Sequence, residues 1–231
     1  MLDNLKIDVF KANLDIVNSG LVIHTWGNVS ARDYDTGMIV IKPSGVSYKS
    51  MKPGDMVVID PDGKIVEGKY KPSTDAPTHL LLYKTWEAIG GIVHTHSSYA
   101  TAWAQAGRPI PPFGTTHADH FNGEVPCTRS LTDSEIAGDY EVNTGKIIIE
   151  SMDTLDPLSI PSVLVNSHGP FCWGTDAANA VYNAISLEEI ARIAFYTVLL
   201  GKSEPVKKAL LDKHFKRKHG SDAYYGQDNR L

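Results

Sequence analysis

Gly90-Gly91-Ile92-Val93-His94-Thr95-His96-Ser97 places two β-branched apolar residues directly before two histidines one residue apart. In an extended strand, residues i and i+2 point to the same face. His94 and His96 can therefore aim two imidazoles at one point, as a metal site requires. A third histidine stands in similar surroundings, Val163-Leu164-Val165-Asn166-Ser167-His168-Gly169-Pro170. Gly169 and Pro170 are expected to end that strand at once. Imidazoles at the ends of two apolar strands predict an open catalytic centre, so the chain reads as an enzyme and not as a binding module.

Working outward, Leu2, Leu5, Val9, Ala12 and Ile16 recur at helical spacing before Gly20. Met38 to Ile41 reads as a strand. Met56 to Ile59 and Lys64 to Val66 flank the turn sequence Asp60-Pro61-Asp62-Gly63 and predict a hairpin. Ser73 to Pro77 opens a helix whose buried face is expected to begin at Leu80, Leu81 and Tyr83. A helix is expected near Tyr99 to Gln105, and Thr132-x-x-Glu135 is a capping box. Lys146 to Glu150 and Ser162 to Asn166 read as β-rich. Asp176 to Leu200, bounded by Gly174 and Gly201, is the longest helical pattern. A last helix is expected to start at Ser203 and Pro205 and run to about His219. Strands and helices mix without strict alternation, which predicts one α/β domain over residues 1–231 with a mixed sheet between helices.

The 231 residues carry a net charge of −5, with 42% hydrophobic and 21% charged residues. That is the composition of an ordinary soluble protein with chain enough for a large core. No basic excess points to nucleic acid, and no apolar run is long enough to cross a bilayer. Met1-Leu2-Asp3-Asn4-Leu5-Lys6 lacks the pattern of a signal peptide. The only cysteines, Cys127 and Cys172, are expected as free thiols in a reducing compartment, so the cytoplasm is the expected location.

A lone H-x-H is also met at structural or surface positions. Here His168 repeats it, and three neutral imidazoles with a vacant position suit zinc as a Lewis acid. Asp75, at the mouth of a predicted helix, is a candidate fourth ligand or base. Its ordinary role would be a carboxylate favoured by the helix dipole. Two histidines and a carboxylate also hold non-haem iron in oxygenases, and a zinc-stabilised interaction protein is a third reading.

Three further segments present amides and small hydroxyls: Thr25-Trp26-Gly27-Asn28-Val29-Ser30, Lys42-Pro43-Ser44-Gly45 and Lys71-Pro72-Ser73-Thr74. A phosphate takes N–H and O–H donors and a positive charge. None of the three matches the Walker or dinucleotide glycine pattern, and each alone is more often a turn. Together, beside a metal site, they point to a phosphorylated substrate.

These residues carry a resemblance. The segments 25–30, Ile41 to Gly45, Lys71 to His79 and Gly90 to Ser97 resemble those of the class II aldolase/epimerase family. So do Gly114-Thr-Thr-His-Ala-Asp119, Pro126-Cys-Thr-Arg129, Ser167-His-Gly-Pro-Phe171, Asp212-Lys-His-Phe-Lys-Arg-Lys-His-Gly220 and Ala223-Tyr-Tyr-Gly-Gln227. The likeness runs over essentially the whole chain, and the last four motifs favour the family's epimerases over its aldolases. It implies a three-layer α/β/α sandwich around a mostly antiparallel mixed sheet. It implies a homotetramer with sites between subunits, acting on a phosphorylated ketopentose. It implies a divalent metal, usually zinc, held by His94, His96 and His168 with Asp75 on or beside it. Gly27, Asn28, Lys42, Ser44, Gly45, Ser73 and Thr74 would hold the phosphate end.

Asp119 and Tyr225 match the family's proposed acid/base pair. The implied reaction interconverts L-ribulose 5-phosphate and D-xylulose 5-phosphate, as relatives in arabinose or ascorbate use do. Carbon four is not next to the carbonyl, so its inversion requires breaking and remaking the C3–C4 bond. A sugar-phosphate aldolase, which releases the aldehyde, is the alternative. Thr74 stands where a serine is common in the family and keeps the hydroxyl. The segment 153–160 differs in length, in an expected surface loop.

Overall fold

The structure is a computed structural model that describes residues 2–201, 204–220 and 223–224. Seven strands form one sheet: β1 (Asn28–Arg32), β2 (Ile39–Ile41), β3 (Val57–Ile59), β4 (Ile65–Glu67), β5 (Gly91–His94), β6 (Ser162–Val165) and β7 (Gly169–Gly174). Their order is β4-β3-β2-β1-β5-β7-β6, and every neighbouring pair is antiparallel. Among the described residues the one parallel pairing is an isolated bridge between Cys127 and Leu164.

The expected α/β sandwich is present, and alternation along the central strands sorts its two faces. Helix α1 (Asp3–Asn18), helix α3 (Ser98–Gln105) and the long α7 (Ala177–Leu199) pack together on β1, β5 and β7. Helix α2 (Ala76–Thr85) packs against α6 (Tyr140–Ser151) and covers the opposite face. There Ser30 of β1 meets His79 and Tyr83 of α2, and Trp86 lies against Trp173 of β7. Asn28, His94 and Phe171 stand in register on three adjacent strands and share that face. Short helices α4 (Thr115–Ala118) and α5 (Asp133–Ala137) lie in the connections, and α8 (Lys208–His219) packs on α4.

Several expectations need correction. Residues 146–150 are helical, inside α6. The three isoleucines read as strand, but Thr144, Ile147 and Ile148 bury at helical spacing. Gly145 admits Leu81 of α2 so closely that a Cβ there would lie 2.9 Å from it. Gly169 and Pro170 do not end a strand; they begin β7, which turns back on β6 through Asn166-Ser167-His168. His168 therefore sits in a turn, where Ser167 takes a positive φ of 61°. The 25–30 segment is not all loop, because β1 starts at Asn28.

The buried face of α2 is carried by Ala76, Thr78, His79, Leu82 and Tyr83, while Leu80 and Leu81 are half-buried. The last helix starts at Lys208, later than expected; Ser203 and Tyr225 lie outside the described residues. Among the described residues no helix is long and apolar enough to cross a membrane. Cys127 and Cys172 are free.

Candidate metal centre and phosphate cradle

β5 delivers His94 to the sheet's α2 face, and the chain then leaves the strand through Thr95 and His96. The β6–β7 turn brings His168 to the same place. One nitrogen from each of His94, His96 and His168 falls within 4.8 Å of the others. The Nε2 atoms of His94 and His96 are 3.1 Å apart. His94 is oriented twice: its Nδ1 donates to the Pro170 carbonyl at 3.0 Å, and its ring stacks on Phe171 at 4.2 Å. His168 Nδ1 lies 3.5 Å from the Tyr140 hydroxyl.

Burial, followed by repulsion from His94 and His96, lowers the His168 pKa to about 3. Burial and then His94 also lower that of His96. Both rings are thus neutral at neutral pH, as metal ligands must be. Converging neutral imidazoles, with His94 locked by a backbone acceptor, fit a divalent cation.

Asp75 stands outside that cluster of three nitrogens. Its Oδ2 accepts from Asn28 Nδ2 at 2.6 Å. Burial penalises its charge, but His94, His79 and the Asn28 hydrogen bond together outweigh this and lower its pKa. The carboxylate faces the histidines as an anion.

The three hydroxyl-and-amide segments converge on the same cavity of about 430 Å³. Its lining includes Gly27, Asn28, Lys42, Ser44, Gly45, Ser73, Thr74, Asp75, His94, His96 and His168. The convergence has a backbone cause. Ser44 N–H donates to the Lys71 carbonyl and Ser73 N–H to the Lys42 carbonyl, so the two Lys-Pro-Ser segments pair through a bridge at Pro43 and Pro72. The Tyr48 hydroxyl donates to the Gly27 carbonyl at 2.7 Å and ties in the third segment. Lys42 is 2% exposed, and burial lowers its pKa to about 8. Its ammonium lies 4.7 Å from the Tyr48 ring centre. A buried cation among hydroxyls and turn amides has the chemistry of a phosphate site.

Tyr140 and Glu141, which the sequence reading does not name, also line the cavity, together with Trp26 of the 25–30 segment. Tyr140 and Glu141 open α6, so reading 146–150 as a strand hid them.

Asp119 is not in this cavity. It follows α4 and is bound to α8 of its own chain. His214 Nδ1 donates to Oδ1 at 3.0 Å, and Arg217 donates from Nε and Nη2 at 3.0 and 2.7 Å. Burial opposes its ionisation, but the bonds from Arg217 and His214 outweigh burial and lower its pKa. The second member of the expected pair, Tyr225, is outside the described residues.

The family described as Class II Aldolase and Adducin N-terminal domain matches residues 7–195. The chain belongs to this family. Within the class II aldolase group it is 55% identical over 227 residues to the L-ribulose-5-phosphate 4-epimerase UlaF of Salmonella paratyphi B, covering 98% of this chain and 100% of that protein. The protein of the same name from Salmonella typhi has the same identity and coverage. Among solved structures, an L-fuculose 1-phosphate aldolase superposes with a TM-score of 0.80 at 26% identity, covering 93% of this chain and 95% of that one. YgbL of Klebsiella pneumoniae, a putative aldolase/epimerase/decarboxylase, shares the fold with a TM-score of 0.72 at 23% identity, covering 92% and 99%.

Proposed function

We propose that this protein is a metal-dependent L-ribulose-5-phosphate 4-epimerase, an isomerase acting as a single domain on a phosphorylated ketopentose. The observation that carries the reading is one cavity holding three convergent imidazoles beside a buried lysine and three hydroxyl-and-amide segments. The 55% identity to named epimerases, over 98% of the chain, directs that chemistry to C4 inversion.

His94, His96 and His168 would hold zinc or another divalent cation, with Asp75 on or beside it. A bound cation supplies positive charge at the oxygens that become negative as the C3–C4 bond breaks. Lys42, Ser44, Ser73, Thr74 and the Gly27, Asn28 and Gly45 turns hold the phosphate end. That grip retains the two-carbon aldehyde, glycolaldehyde phosphate, while it rotates to offer its other face. The C4 hydroxyl gives up a proton as the bond breaks and regains one as it re-forms, so two groups on opposite sides must exchange protons.

Asp119, held as a carboxylate by Arg217 and His214, and Tyr225 fill those roles. Asp119 does not line the cavity of its own chain, which supports a homotetramer whose sites take Asp119 and Tyr225 from a neighbouring copy. Phe195, Tyr196, Leu199 and Leu200, exposed at the end of α7, support association in the same way. Free thiols support a reducing, cytoplasmic setting.

The test is incubation with L-ribulose 5-phosphate, with and without chelator, scoring D-xylulose 5-phosphate. Metal-dependent product is expected; its absence overturns the reading. The structural likeness to an L-fuculose 1-phosphate aldolase keeps a second reading, aldol cleavage. Condensation of dihydroxyacetone phosphate with lactaldehyde faster than epimerisation would favour it.

A further inference from the structure

His96 is the least buried of the three histidines; its ring meets those of Trp26, His94 and His168, and where it starts from is set by the backbone between β5 and α3. Ser97 takes the N-cap position of α3, yet its side chain makes no capping hydrogen bond. The amides that a capping side chain would satisfy are held from elsewhere. Tyr99 N–H donates to Glu188 Oε1 at 2.8 Å, and Ala100 N–H donates to Glu188 Oε2 at 2.9 Å. Glu188 lies on α7, 88 residues beyond Ala100. Its charge also suits the start of a helix. Because α7 packs on β5 and β7 as well, Glu188 ties the first turn of α3 to the strands that carry His94 and lead from His168.

We propose that Glu188 is a positioning residue of the metal centre, fixing the β5–α3 junction so that His96 meets His94 and His168. Only Ser97 separates His96 from the clamped helix, so a swing of that first turn moves the imidazole directly. The proposal rests on the metal reading given above.

The test uses the full chain as wild type, Glu188→Ala, Glu188→Gln and Asp60→Ala. The last removes a turn carboxylate that accepts from Asp62 and Lys64 N–H in the β3–β4 hairpin, away from the cavity. Zinc affinity is measured by competition with a chromophoric chelator, the visible spectrum is recorded for the cobalt-loaded forms, and melting is followed without metal. Glu188→Ala is expected to weaken zinc binding by roughly 10- to 100-fold and to alter the cobalt bands. Glu188→Gln, which keeps one accepting oxygen, should fall between it and wild type. Asp60→Ala should melt earlier with zinc affinity unchanged.

Unchanged zinc affinity and cobalt spectrum in both Glu188 variants overturn the proposal, whatever their melting temperatures. If Glu188→Ala does not fold, Glu188→Gln alone decides. A wild-type chain that binds neither ion sinks the metal reading itself, a result separate from any difference among the variants.

Discussion

His94 donates its Nδ1 proton to the Pro170 carbonyl at 3.0 Å, across the paired strands β5 and β7. A carbonyl only accepts, so Nδ1 carries a proton, and Nε2, the nitrogen left to bind a metal, faces His96. Indirect partners of a metal ligand already change affinity by roughly 10- to 100-fold, so removing the ligand must cost more. His94→Ala should lose bound metal and at least about 100-fold in activity. Elemental analysis with turnover checks this; retained metal with lost activity would refute the ligand assignment.

Asp119 should matter to the reaction and not to the metal, since it bonds to α8 and not to the cavity. Asp119→Asn is expected to cut epimerisation by about 10²- to 10⁴-fold, the usual weight of a general acid or base, with metal content unchanged. Turnover near wild type would exclude the role.

If Lys42 holds the phosphate, as proposed, substrate binding should weaken at alkaline pH. Burial lowers its pKa to about 8, so the charge is present below pH 8 and is lost above it. The ratio kcat/KM reports the free enzyme and should fall as pH rises through 8. Loss of a charged hydrogen bond costs about 1.5–3 kcal/mol, so Lys42→Met should raise KM by roughly 10- to 100-fold and remove this limb. A pH profile that Lys42→Met leaves unaltered would count against it.

Acid should destabilise the metal-free protein through two buried histidines, His79 on α2 and His117 on α4. Burial lowers the His79 pKa from 6.5 to about 3, and that of His117 to about 4. The unfolded chain binds more protons in this interval, so stability is complete above about pH 6.5 and declines as pH falls toward the folded-state values. Melting temperatures taken from pH 7 to pH 4 should drop steadily, and a flat series would contradict this.

Gly27 has φ +110°, and a Cβ on it would lie 2.8 Å from the His94 carbonyl oxygen and 3.2 Å from Val22. Gly27→Ala must strain the backbone or push β1 from β5, at about 1–3 kcal/mol. A chain of this size should then melt about 2–12 °C lower. Melting within one degree of wild type would show that the loop relaxes freely.

The residues of the cavity were legible because their chemistry is local. His94 and His96 declare a shared face by spacing alone, and Lys42, Ser44, Ser73 and Thr74 announce donors within four-residue segments. Their meeting was not legible. It depends on Lys42 and Lys71 segments pairing across a bridge at Pro43 and Pro72, which no local pattern records. Pro170 misled for a definable reason: proline in a strand normally marks an edge or an end. Here it stands just past the β5–β7 ladder, where its carbonyl serves His94 and its missing N–H costs nothing. The isoleucines of α6 misled because their neighbours Thr144 and Gly145 owe their burial to α2, a partner distant in sequence.

The register Asn28–His94–Phe171 has a kinetic consequence. β1, β5 and β7 lie side by side although well over a hundred residues of chain separate the first from the last, so the contacts that bring Asn28 and His168 to His94 each close a long loop. Closing such loops costs entropy before the contacts repay it, which slows their formation. His168 is therefore expected to join His94 and His96 late on the folding route, so an ion offered to the nascent chain should find the proposed site incomplete until β7 has paired with β5.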